Sequence, residues 1–143
     1  MMYPLLATDI IIEYNDGNKE GIVLIKRKNP PYGIAIPGGI QEYGLSLEEN
    51  AKKEAKEETN LEIMLQKEKP LCINSNPDRD PRGHIISVTY VANGFGKLKA
   101  GDDAAEAGVY NIDEVKKLIE KDMLQFDHAK ILEKYLEFKK YQK

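Results

Sequence analysis

Glu54, Glu57 and Glu58 stand within five positions of one another, shortly after Pro37-Gly38-Gly39. Around them, "SLEENAKKEAKEET" has helix-forming composition. At about 100° per residue, Leu47, Ala51, Glu54 and Glu58 share one side of such a helix. Glu57 lies at the edge of that side, and Lys52, Lys53 and Lys56 lie opposite. A surface helix with Glu49–Lys53 and Lys53–Glu57 pairs explains the lysines, but not two inward glutamates. Partial burial of like charges costs several kcal/mol, or forces proton uptake, unless a cation compensates. Clustered carboxylate oxygens suit hard divalent ions, and Mg²⁺ is usually shared with substrate phosphates. Gly38 and Gly39 lack a Cβ, so their carbonyls can approach a metal or ligand closely. The chemistry implied is metal-assisted phosphoryl transfer.

A second group is cationic. Arg27, Arg79 and Arg82 are the only arginines, and each offers paired donors to phosphate or ribose oxygens. Arg79 and Arg82 sit in "NPDRDPRGH", a loop stiffened by Pro77 and Pro81. His84 is read as capping the strand that follows. Asp102, Asp103 and Glu106, in "AGDDAAEAG", form a third acidic group on an expected loop. Phe126 is read as a core residue, with stacking on a base as the alternative, and Asp127 as a helix N-cap. Cys72 is the only cysteine, so no internal disulfide forms and Cys-rich zinc sites are excluded. It is read as a small packed residue, in a chain suited to a reducing compartment.

These groups need elements to position them. Leu5 to Tyr14 and Gly21 to Arg27 read as a hairpin around the turn Asn15-Asp16-Gly17-Asn18. Ile34 to Ile36 is a short strand ended by the glycines. Ser46 starts a helix with a capping box completed by Glu49, running to about Thr59. Leu61 to Leu71 reads as a strand with Cys72 at its end, His84 to Ala92 as a buried strand, and Val109 to Asn111 as a short one. Helices follow from Ile112 and over Asp127 to Lys140, the last amphipathic. Mixed in this order, they predict an α/β fold with a mixed sheet between helices.

The 143 residues fit one domain over residues 1–143. A net charge of −3 and pI ≈ 5.5 argue against nucleic acid as partner. The N-terminal apolar run is broken by Thr8 and Asp9, so neither a signal peptide nor a membrane span is expected. A cytoplasmic protein is the expectation.

The stretch from Gly39 resembles the signature box of the Nudix hydrolases, matching at Glu54, Ala55, Glu57, Glu58 and Leu61. Flanking Pro37-Gly38-Gly39, Glu42 and Gly44 are also similar. Leu45 departs where the family has glutamate, Lys53 where it has arginine, and Asn60 where it has glycine. The resemblance implies a Nudix-type α/β/α sandwich. It implies metal held by the Gly38 carbonyl, Glu54, Glu57 and Glu58, with two or three Mg²⁺ or Mn²⁺ ions. Catalytic roles would fall to Glu57, Glu58 and Glu106, and substrate binding to Arg27, Arg79 and Arg82. The loop Asn76 to His84 and "QFDHAKIL" are similar to ADP-ribose pyrophosphatases. That implies hydrolysis of ADP-ribose to AMP and ribose 5-phosphate, in a possible homodimer. Two alternatives stay open: a housecleaning hydrolase of nucleoside triphosphates or dinucleoside polyphosphates, and a non-catalytic ADP-ribose sensor motivated by Leu45.

Overall fold

The computed structural model describes residues 2–101 and 104–142. Its elements run β1 (Leu5–Asn15), β2 (Glu20–Arg27), β3 (Ile34–Ala35), β4 (Gly38–Ile40), α1 (Leu47–Thr59), β5 (Glu62–Leu65), β6 (Cys72–Asn74), β7 (Ile85–Phe95), β8 (Ala104–Tyr110), α2 (Ile112–Glu120) and α3 (His128–Lys140). The strands form one mixed sheet ordered β3-β2-β1-β7-β5, with β4 on β1, β6 on β7 and β8 on β2. The central β1–β7 pair is parallel; the other pairs are antiparallel.

Strand periodicity builds the layers. Successive residues of β1 face opposite sides of the sheet. Ile10 and Ile12 pack with Val23, Ala51, Ala55 and Leu61 on the α1 side. Ile11 packs with Ile22, Leu24, Val115, Ile131 and Leu132 on the α2 and α3 side. Two cores therefore flank one sheet, the expected α/β/α sandwich.

The partners of β1 change midway along one edge. Residues 13–15 pair with β2, and residues 7–9 pair with β4. Between these pairings Ile10 donates its amide to the Pro37 carbonyl at 2.8 Å. The residues beside this change of partner line the main polar cavity.

Two expectations need correction. The loop read across 100–108 is strand from Ala104 onwards, because Ala104–Tyr110 pairs with β2. Its small residues carry little periodic signal, and the order comes from its distant partner. Leu61 to Leu71 is not one strand: β5 ends at Leu65, and pairing to β7 resumes at Cys72. Asp102 and Asp103 lie outside the described residues. Among the described residues, no helix is long and apolar enough to cross a membrane.

Candidate active site

Helix α1 begins where its cap demands. Ser46 Oγ accepts from the Glu49 amide at 3.1 Å, and Glu49 accepts from the Ser46 amide at 2.9 Å. At the other end Asn60 takes φ 67, the left-handed conformation of a helix C-cap. Its Nδ2 also donates to the Lys97 carbonyl at 2.9 Å. The departure from glycine at Asn60 thus retains the turn and adds a hydrogen bond.

The helix presents its carboxylates to the cavity, in a graded way. Glu58 is 5% exposed and accepts from the Gly38 amide at 2.7 Å. Glu54 lies against Gly39, where an added Cβ would sit 2.5 Å from its carboxyl carbon. Glu57 is half-buried and pairs with Lys53 at 2.8 Å. Lys53 also approaches Glu54 at 3.7 Å and Glu42 at 3.5 Å. The Glu57 hydrogen bond, then the charges of Glu54, Glu57 and Glu42, raise the Lys53 pKa against the cost of burial.

Leu45 is half-buried, and the bracing expected from a glutamate there comes from elsewhere. Glu42 supplies the loop-to-helix ion pair with Lys53. Gln41 Nε2 donates to the Leu45 carbonyl at 2.7 Å, and Gln41 Oε1 accepts from Thr8 at 3.0 Å. Asn50, fully buried, accepts from the Glu42 amide at 3.1 Å and donates to Thr8 at 3.2 Å. This polar network holds the loop between the glycines and the helix.

Opposite the acids stand the arginines. Arg27, Arg79 and Arg82 line the same cavity of about 310 Å³ as Gly38, Glu54, Glu57 and Glu58. Phe126 carries two of them: the Arg27 and Arg82 guanidiniums lie over its ring, 5.4 and 5.1 Å from the centroid. Such contacts hold a cation in place, and Arg27 Nε also donates to the Pro31 carbonyl at 2.7 Å. Arg82 also forks onto Asp80 at 3.1 and 2.8 Å. Burial pushes the Asp80 carboxyl up, but the hydrogen bonds and charge of Arg82 bring it below its ordinary value.

Arg79 is 3% exposed, and its fork is committed. It donates to both oxygens of Asp127 at 3.0 and 2.7 Å and to the Ile85 carbonyl at 3.1 Å. Asp127 therefore makes no side-chain cap on α3, a correction to its expected role. A buried guanidinium with bidentate geometry outcompetes the helix amides. His84 reaches the Ser75 carbonyl at 3.1 Å and closes the base of the loop.

Glu106 is the one expected site residue that does not line the cavity. It lies on β8, exposed, paired with Lys26 at 3.0 Å. Two residues that the sequence reading missed do line it. Asp9, on β1, is buried and accepts a short hydrogen bond from Ser87. His128, at the start of α3, is buried and accepts from the Ile36 amide through Nδ1 at 2.9 Å. Burial lowers the His128 pKa; Asp9 and Asp127 oppose the shift, and Arg79 and Arg27 reinforce it. A charge inside the apolar run of β1 was the available signal for Asp9. His128 carried none beyond its place beside Phe126 and Asp127.

Among the described residues, no three acidic, histidine or cysteine side chains converge closely enough to coordinate one ion. Glu58 instead accepts from the Gly38 amide, and Glu57 pairs with Lys53. The wall nonetheless suits divalent metal: hard oxygen donors beside Gly39, whose missing Cβ leaves room for the Glu54 carboxylate.

A family model described as the NUDIX domain matches residues 4–135. The ADP-ribose pyrophosphatase of Methanocaldococcus jannaschii is 44% identical, covering 96% of this chain and 76% of the relative. A MutT/nudix family protein from Enterococcus faecalis superposes with a TM-score of 0.75 at 32% identity, covering 94% of this chain. This chain spans only 61% of that protein's length. The Nudix domain of Shewanella oneidensis NrtR, solved with ADP-ribose, superposes with a TM-score of 0.76 at 23% identity, covering 96% and 89% of the two chains; at that identity the likeness concerns the fold. The family match spans the acid-bearing helix, its glycine strand and the sheet that carries them, and the chain belongs to the NUDIX domain family.

Proposed function

We propose that the protein hydrolyses the diphosphate of ADP-ribose, or of a closely similar nucleoside diphosphate derivative, to AMP and ribose 5-phosphate. The observation that carries this reading is one cavity with a carboxylate wall facing a guanidinium wall. A diphosphate needs cations on both sides: fixed ones from arginine, and exchangeable ones held by carboxylates. The relative at 44% identity is named for ADP-ribose hydrolysis, which supports that substrate over nucleoside triphosphates.

Glu54, Glu57, Glu58 and the Gly38 carbonyl would hold two or three Mg²⁺ or Mn²⁺ ions. When bound, these ions polarise the diphosphate and lower the pKa of an attacking water. Arg27 and Arg82, steadied on Phe126, take phosphate oxygens from the opposite wall. Both forks rest on carboxylates, but Arg82 is 42% exposed and Arg79 only 3%, so Arg79 keeps the loop of Arg82 in place rather than meeting the substrate. Glu57, half-exposed at the helix edge, takes the water's proton on a carboxylate oxygen. Glu106 joins this chemistry only by leaving Lys26. The bracing around Leu45 by Glu42, Gln41 and Asn50 supports catalysis over the sensor reading.

The test is turnover by the purified protein, with Mg²⁺ and with Mn²⁺, across ADP-ribose, nucleoside triphosphates and dinucleoside polyphosphates. ADP-ribose is expected to lead clearly. Equal or reversed preference overturns the substrate assignment, and saturable binding without hydrolysis overturns the enzyme reading.

A further inference from the structure

The acid and arginine walls leave two buried polar side chains of the same cavity without a task. Asp9 is 7% exposed and His128 is 2% exposed, and both line the cavity. Each has one heteroatom locked by the protein. Ser87 Oγ donates to Asp9 Oδ2, and the Ile36 amide donates to His128 Nδ1. The second heteroatom of each takes no hydrogen bond among the described residues. Neither is sealed in a dry core, since both residues form the cavity wall.

Their chemistry is complementary. Because Nδ1 accepts, the proton of the neutral ring sits on Nε2, a donor. Asp9 Oδ1 is an acceptor. Both groups flank one short segment: His128 is tied to Ile36, and Asp9 pairs with Gly38 two residues further on. Pro37 between them lies at a bend, so the two positions are separated by at most about 7 Å. A phosphate oxygen would satisfy His128 and be repelled by Asp9. A metal ion would satisfy Asp9 and be repelled by the Nε2 proton. A hydroxyl satisfies both, accepting from the imidazole and donating to the carboxylate.

We infer that Asp9 and His128 form a hydroxyl-recognition pair on the inner wall of the cavity, selecting a sugar hydroxyl of the substrate next to the diphosphate. This rests on the proposed function, since it assigns the sugar of the same substrate class. Two polar groups desolvated together and left unpaired by a wrong ligand discriminate strongly.

The experiment is a ligand–residue cycle read by calorimetry, not by turnover. The probes are α,β-methylene ADP-ribose and its deoxy analogues, each lacking one ribose hydroxyl. The proteins are wild type, Asp9→Asn and His128→Gln. In wild type, one deoxy analogue is expected to bind about 10- to 100-fold more weakly than the parent. In either variant that penalty should shrink to within about threefold, the signature of direct coupling. The pair is refuted if no single hydroxyl matters in wild type, a result that needs no variant to fold. It is equally refuted if the variants bind methylenediphosphonate as poorly as the whole analogue, because the loss then lies at the diphosphate or the metal. If the substrate panel favours another nucleotide, the proposed function fails alone. The same cycle on that nucleotide's non-hydrolysable analogue still decides the pair.

Discussion

Replacing Asp127 by alanine strips the guanidinium of Arg79, 3% exposed, of its counter-charge. Two charge-assisted hydrogen bonds, at 3.0 and 2.7 Å, disappear, and only the Ile85 carbonyl at 3.1 Å remains. Breaking a buried pair from one side costs about 3–5 kcal/mol. Asp127 is itself 20% exposed, so water reaches part of the gap, and the lower end, about 3 kcal/mol, is the expectation. For a domain of this size that lowers Tm by roughly 10 °C. The double variant Arg79→Met, Asp127→Leu removes both charges and should recover most of the loss, as apolar replacements of buried pairs do. Thermal and urea unfolding at neutral pH measure both. A cost below about 1 kcal/mol for Asp127→Ala, or a double variant no more stable than the single one, would refute the claim that this pair is a buried brace.

Glu58→Gln should lose turnover of ADP-ribose in Mg²⁺ by orders of magnitude and keep its fold, because the amide oxygen still accepts from Gly38; unchanged turnover would remove Glu58 from the metal wall. Asn60→Ala should lose about 1–2 kcal/mol on urea unfolding, from left-handed strain and the lost bond to Lys97, whereas Asn60→Gly should lose less. The folded-state pKa of His128 lies below the 6.5 of the free side chain. Its neutral form therefore contributes stability that is complete above pH 6.5 and is lost as pH falls through the folded value. Unfolding free energy should decline on acidification from about 6.5, and His128→Gln should flatten that decline; an identical slope in the variant would assign it to other groups.

The parts legible in the sequence were those with local causes. The capping box at Ser46, the helix phase of Glu54 and Glu58 and the hairpin turn at residues 15–18 each depend on neighbours within a few positions. The acids and arginines were legible as chemistry, because seven of the eight expected site residues line one cavity. What could not be read depends on distant partners. Strand β8 is ordered by β2 rather than by its own alanines. Asp127 prefers Arg79, 48 positions away, to the helix amides beside it. Lys53 finds Glu42, across the loop, in place of the glutamate missing at position 45. Asp9 and His128 come into view only once the segment Ile36 to Gly38 is laid between them.

Phe126, Asp127 and His128 are consecutive, yet each serves the cavity differently: as a platform for two arginines, as the anchor of a third, and as a clamp on Ile36. A ribosome delivers the acid helix by residue 60 and this triplet more than sixty residues later. The emerging chain therefore carries its acidic wall long before the opposite wall can settle. Catalytic competence should arrive abruptly, when the last helix docks, so that a partly made chain stays inert towards cellular nucleotides.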